Sequence, residues 1–185
     1  MRGISDKNIL NIFCTNFCKI IEKHCNYIIV SGFLVIASGR ARATEDIDMI
    51  ISKISKEKFL KLHKDLESHN FICKQTDDPE EAYEYLIDNT SIRYTEKNKP
   101  LPEMEIKFAK DKLDEYQIIN RVKIPFTGLD VWFSSINMNI AFKEEYLKSE
   151  KDLEDALHLR KLYKEQISEE EINKIKRMIK ETKLK

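Results

Sequence analysis

Two aspartates one residue apart, Asp46 and Asp48, follow a Ser31-Gly32 turn in the run VSGFLVIASGRARATEDIDMI. A strand alternates its side chains, so the two carboxylates share a face, roughly 6–7 Å apart, while Ile47 points to the other face. Carboxylates placed together repel one another unless a cation sits between them. A hard divalent ion suits an all-oxygen site that also meets phosphates, so magnesium is the expected ion and manganese the alternative. The chain has four glycines, and Gly32 and Gly39 both fall in this run. A glycine directly after an apolar strand permits a tight turn and lets backbone N–H groups approach an anion. Phosphate at Ser31 and Gly32, with metal at Asp46 and Asp48, would make one site for a nucleoside triphosphate. Arg40 and Arg42 lie between turn and strand, where a guanidinium could neutralise triphosphate charge or pair with Glu45.

These residues carry a resemblance. Ser31-Gly32, the apolar stretch after it and Asp46-Ile47-Asp48-Met49 resemble the signature of the DNA polymerase β-type nucleotidyltransferase superfamily. In this chain Ser precedes Gly32, and Phe33 stands where that signature usually has a second small residue. The fuller stretch, with Gly39, Arg40, Arg42, Thr44, Asp46 and Asp48, is similar to small prokaryotic AbiEii-like and minimal nucleotidyltransferases. Lys143 and Lys151-Asp152-Leu153-Glu154-Asp155 resemble the lysine and the KDxxD helix of those proteins, so the likeness runs over residues 27–165. It implies transfer of a nucleoside monophosphate from a triphosphate to an acceptor, which would be an RNA or tRNA end, a protein hydroxyl or a small molecule. It also implies a place in a toxin–antitoxin pair, with an antitoxin as partner. A third metal carboxylate is implied on a neighbouring strand. In Met104-Glu105-Ile106-Lys107-Phe108 the alternation puts Glu105 on one face and the apolar residues on the other, so Glu105 is the candidate and Glu103 the reserve. By the same resemblance Lys143 reaches the triphosphate.

The elements that must position these groups follow from periodicity. Ile9, Ile12, Phe13, Phe17, Ile20 and Ile21 recur with helical spacing and predict a helix over 6–25. Tyr27 to Val30 reads as a strand, 33–37 as a short helix stopped at Gly39, and 46–51 as a second strand. A helix over 55–69, a strand at 71–74 and a helix ending near Ile87 come next. Runs 91–95 and 104–109 predict a hairpin with a long connection, and 122–125 with 129–133 a second pair turned at Thr127-Gly128. From Ser135 onward three helices are expected, over 135–147, 150–165 and 168–182, with Ser149 and Ser168 as N-caps. The expected fold class is α+β: a nucleotidyltransferase-like mixed β-sheet with packed helices, residues 1–134, and a helical C-terminal part, residues 135–185.

Composition narrows the alternatives. A formal net charge of zero gives no global field to recruit nucleic acid, and the basic run from Lys174 to Lys185 reads as a solvated helix end. No apolar run is long enough to cross a bilayer and no secretory leader is visible, so a cytoplasmic protein without a membrane partner is expected. Cys14, Cys18, Cys25 and Cys73 lack the spacing of a zinc site and read as buried thiols. Trp132 reads as core beside Phe133, and His158 as a packing or surface residue. Two other readings stay open: a glycosyltransferase using Asp46 and Asp48 for manganese and a nucleotide sugar, and a nucleotidyltransferase fold that has lost turnover and serves as an antitoxin or RNA adaptor.

Overall fold

The computed structural model describes residues 4–41 and 46–183, so Arg42 and Glu45 lie outside the described residues. Among the described residues, β1 (Tyr27–Val30), β2 (Asp46–Ile51), β3 (Phe71–Cys73), β4 (Ile92–Glu96) and β5 (Glu103–Phe108) form one sheet in the order β1-β2-β5-β4-β3. β2 runs parallel to β5, and the other neighbouring pairs are antiparallel.

Strand alternation sorts this sheet into two chemically different faces. Ile29, Ile47, Met49, Tyr94, Met104 and Ile106 are all fully buried on the inner one. Two amphipathic helices cover that face, α1 (Ile4–Ile21) and α3 (Lys56–Ser68). Their aromatic rings mark the contact: Phe17 lies 5.0 Å from Phe71 and 5.7 Å from Tyr94, and Phe59 lies 6.5 Å from Phe108. Each such side chain contributes about 1.5–3 kcal/mol by leaving water, which anchors the strands and therefore the direction of everything on the opposite face. α4 (Pro79–Ile87) packs beside α3, capped by Asp78, whose carboxylate accepts from the Glu80 N–H at 2.8 Å.

The outer face is polar where the inner one is apolar. It carries Asp46 and Asp48 on β2, Glu103, Glu105 and Lys107 on β5, and Arg93 on β4. One end is closed by a small apolar cluster in which Ile118 of α5 (Lys112–Ile119) meets Ile28 and Ile50. Beyond it stand the C-terminal helices α6 (Ile136–Phe142), α7 (Glu150–Leu162) and α8 (Glu169–Lys183). α8 buries Ile172, Ile175 and Ile179 in the common core, and Asn137 of α6 donates to Glu171 at 2.5 Å. The fold is α+β, with a mixed sheet, packed helices and a helical C-terminal part, as the periodicity implied.

Three local expectations are corrected. The pair expected at 122–133 reduces to one bridge, Val122 with Phe133, because Pro125 to Thr127 coil into a 3-10 turn. Phe133 also pairs in parallel with Ile29, so this segment covers the outer edge of β1. The helix expected over 135–147 changes form at Lys143: residues Lys143–Leu147 make a π-helical turn, closed by a 3.0 Å bond from the Lys148 N–H to the Lys143 carbonyl. Trp132 is only half-buried; its indole N–H donates to Glu22 at 2.7 Å, with Arg121 and Lys123 over the ring. The cysteines do pack as small apolar groups: Cys14, Cys18 and Cys73 are buried, and burial pushes the partly buried Cys25 thiol up to about 12 against the pull of Lys58.

Candidate active site

The carboxylates stand in a row set by strand register. Asp46 lies opposite Glu103 and Asp48 opposite Glu105 across the parallel β2–β5 pair, and Arg93 lies opposite Glu105 on the far side. Cross-strand neighbours have Cβ atoms about 4.5–5.5 Å apart, so each pair is within reach of a shared ion. Ile47, Met49, Met104 and Ile106 hold the two strands from beneath, which leaves the acids no freedom to turn inward. Asp46 is exposed and Asp48 and Glu105 are half-buried. Glu105 and Glu103 already have basic partners. Arg93 Nη2 donates to Glu105, Arg93 Nε lies 3.6 Å from Glu103, and Lys74 Nζ donates to the other oxygen of Glu103.

The turn after β1 is strained at the serine rather than at the glycine. Ser31 has φ 65° and ψ −127°, a conformation that L side chains rarely adopt, while Gly32 opens α2 (Gly32–Ala37). The Ser31 side chain makes no capping bond to α2, and the residue borders the cavity described below. Phe33 does not belong to this turn chemically: it is buried and stacks on Phe133 with ring centroids 6.4 Å apart. Gly39, at φ 95°, ends α2 as expected.

A cavity of about 370 Å³ opens over these groups, bordered by Ser31, Asp48 and Glu105 from the sheet side. Met138, Asn139, Phe142, Lys143 and Tyr146 face them from α6 and the π-helical turn, and Ile179 from α8. This size matches pockets that enclose a small ligand. α5 supplies Leu113, Asp114 and Gln117 to the wall. Asp114 is buried and accepts the Lys110 N–H at 3.1 Å. Burial pushes its carboxyl above the ordinary carboxylate range, with the nearby Asp111 adding to the effect and the Lys110 N–H opposing it.

Lys143 borders the cavity, but its ammonium is taken. Nζ lies 2.9 Å from Asp155 and 3.5 Å from Asp152, and both Lys143 and Asp155 are removed from solvent. Arg40 joins the same centre: it donates to Asp155 and, at 2.5 Å, to Glu154. The KDxxD-like helix is thus an acidic clamp on Lys143 and Arg40, and Arg40 turns to α7 where the sequence offered Glu45 or a triphosphate. The clamp ties the end of α2 to the C-terminal helices, as does the 2.8 Å bond between Ser38 and Tyr163. His158 Nε2 donates to the Ser38 carbonyl at 3.3 Å in the same seam.

Of the residues singled out from sequence, Ser31, Asp48, Glu105 and Lys143 border one cavity, with Asp46 on the same strand face as Asp48. Gly32 stands directly behind Ser31, and Arg40 sits in the clamp. Arg93, Lys74, Asp114 and Asn139 escaped notice. For Arg93 a signal existed, since it alternates with Ile92 and Tyr94 and so had to share the carboxylates' face.

The donor chemistry suits a hard divalent ion, because Asp46, Asp48 and Glu105 offer only carboxylate oxygens. Among the described residues, no three His, Cys, Asp or Glu side chains are gathered so as to hold a metal ion. The residue types fit a divalent ion, and Glu105 is bonded to Arg93 in this structure.

The fold, a mixed sheet with packed helices, is similar to that of nucleotidyltransferase-like proteins of known structure. The chain is similar to an antigenic nucleotidyltransferase-like protein from Paracoccidioides brasiliensis, at TM-score 0.54 and 16% identity, over 95% of this chain and 87% of that one. It is also similar to ANT(2")-Ia, in its complex with adenylyl-2"-tobramycin, at TM-score 0.50 and 15% identity, over 96% and 98% of the two chains. No protein-family model and no curated protein sequence matches the chain. No described helix is long and apolar enough to cross a membrane.

Proposed function

We propose that the protein transfers a nucleoside monophosphate from a triphosphate to an acceptor hydroxyl, with Asp46, Asp48 and Glu105 as the metal-binding carboxylates. The observation that supports this most is the strand register that sets Asp48 beside Glu105 at the floor of a cavity whose rim is Ser31. The likeness in fold to ANT(2")-Ia, solved with an adenylylated tobramycin, points the same way.

In this reading the acceptor oxygen bonds to the α-phosphorus, the bond to the bridging oxygen breaks, and pyrophosphate departs. Magnesium, when bound, would supply charge neutralisation for the attacking and leaving oxygens. Asp46 and Asp48 hold that charge at a fixed distance from the turn, because the inner-face packing of Ile47 and Met49 sets their direction. Ser31 and the first amides of α2 orient the phosphates, with the hydroxyl as a further donor. Glu105, the third carboxylate, would also take the acceptor's proton. Lys143 and Arg40, gripped by Asp155, hold the wall of the cavity against the turn. The apolar side of that wall, Met138, Phe142 and Tyr146, suits a flat base.

Acceptor classes consistent with this site are an RNA end, a protein hydroxyl and a small polyol such as an aminoglycoside. A second reading, a fold that binds triphosphate without turnover, draws on the engagement of Glu105 by Arg93. One experiment separates them. The purified chain is incubated with each α-labelled triphosphate, magnesium and total RNA, cell protein or an aminoglycoside panel. Label in one acceptor, lost in the Asp48→Ala and Asp46→Ala variants, supports transfer. Magnesium-dependent triphosphate binding with no labelled product supports the second reading, and full labelling by both variants refutes the site.

A further inference from the structure

We propose that Arg93 is a displaceable counter-cation, which holds Glu105 in the metal-free chain and yields it when a divalent ion binds. The inference rests on the metal–triphosphate reading above and adds a residue that sets the affinity of that site.

Four carboxylates, Asp46, Asp48, Glu103 and Glu105, occupy facing positions on two adjacent strands. Such a row is self-repelling in the absence of a cation. The sheet itself supplies two: Lys74 donates to Glu103, and Arg93 donates through Nη2 to Glu105 while its Nε lies 3.6 Å from Glu103. Glu103 therefore keeps a partner if Arg93 leaves, and Glu105 loses the one named for it. The two glutamates differ in access as well. The Glu103 side chain is 10% exposed against 24% for Glu105, and that of Arg93 is 40% exposed. Lys74 and Arg93 are equally exposed, so the difference lies in the acids: Glu105 is the more solvent-reachable of the two, and an arginine bonded there can swing away at little cost.

Arg93 is bonded to Glu105 Oε2, so a metal ion taken up through that carboxylate meets Arg93 as a competitor for the same group. Competition has a definite sign. Removing Arg93 frees Glu105 and removes a positive charge beside the site, so metal binds more tightly. A cross-strand ion pair that metal does not displace would give only the charge effect, and that gain would persist when Glu105 is replaced.

The test measures manganese binding to the full chain by the loss of the free-ion paramagnetic resonance signal, for wild type, Arg93→Gln, Glu105→Gln, the double variant and Asp48→Asn. Arg93 is partly exposed, so its variant is expected to fold, and a thermal melt in chelator checks this. The expected result is about 3-fold or tighter manganese binding by Arg93→Gln, with the gain abolished in the double variant. Magnesium should also raise the melting temperature of Arg93→Gln more than that of wild type. Equal or weaker manganese binding by Arg93→Gln, or a gain that survives Glu105→Gln, overturns the proposal. Loss of binding in Asp48→Asn alongside an unchanged Arg93→Gln would sink this inference and leave the site reading standing. Binding unaffected by Asp48→Asn would sink the site reading itself, and with it the inference.

Discussion

Lys143 Nζ lies 2.9 Å from Asp155 Oδ2, and both side chains are closed off from water. Arg40 reaches the other oxygen of the same carboxylate from the segment after α2. One buried acid thus binds cations from two parts of the chain distant in sequence. Removing one partner of a buried pair leaves a charge without compensation, at about 3–5 kcal/mol. Asp155→Ala is therefore expected to lower the unfolding free energy by about that amount in urea titrations. Lys143→Met combined with Asp155→Ala should cost less than the sum of the single changes, since the double variant strands fewer charges. Additive losses would contradict the clamp.

Ser31 holds a left-handed φ of 65° at the point where the chain leaves β1 for α2. A non-glycine residue in such a region costs about 1–3 kcal/mol, while glycine adds about 0.5–1 kcal/mol of backbone entropy to be lost on folding. Ser31→Gly is expected to stabilise the protein by about 1 kcal/mol and to weaken triphosphate binding, because the hydroxyl is gone. Paired measurements of thermal stability and nucleotide affinity check both signs. A destabilised Ser31→Gly variant would mean that the turn is held by the serine side chain.

Asp114 gives a pH dependence of known sign. Burial raises its folded pKa above the unfolded value, so the folded state holds a proton where the unfolded state has released it. Its contribution to stability is fully present below the unfolded carboxylate value, near pH 4, and is lost as pH rises through the folded pKa. Asp114→Asn should remove this loss, making the variant the more stable of the two at pH 7, with the difference between them growing as pH rises above about 4. Urea midpoints for both proteins from pH 4 to 8 give that curve. A variant less stable at pH 7 than wild type would show that the ionised carboxylate is held by its neighbours.

What could be read from the chain divides along the range of the interactions. Alternation within a strand is local, so the common face of Asp46 and Asp48, the buried partner set of Ile47 and Met49, and the outward position of Glu105 were all legible. Register is not local. Nothing in residues 46–51 or 103–108 says that they run parallel with Asp48 facing Glu105; the covering helices and the chain path decide it. The same holds for Arg40, whose local acid, Glu45, was the visible candidate, while Glu154 and Asp155 come from a distant helix. Pro125 misled in another way. Its missing N–H suits a 3-10 turn as well as a strand end, and the apolar residues around it fit both. Phe33 looked out of place in a phosphate turn only because its side chain was assigned to the turn; it belongs to the core with Phe133.

Asp46 and Asp48 are proposed to bind a divalent ion that carries a triphosphate against Ser31. Calorimetric titration of the full chain with a non-hydrolysable nucleoside triphosphate, with and without magnesium, tests this without knowledge of the acceptor. Wild type is expected to bind in a magnesium-dependent way, and Asp48→Asn is expected not to bind. Equal affinity in wild type and Asp48→Asn, or wild-type binding indifferent to magnesium, would contradict it.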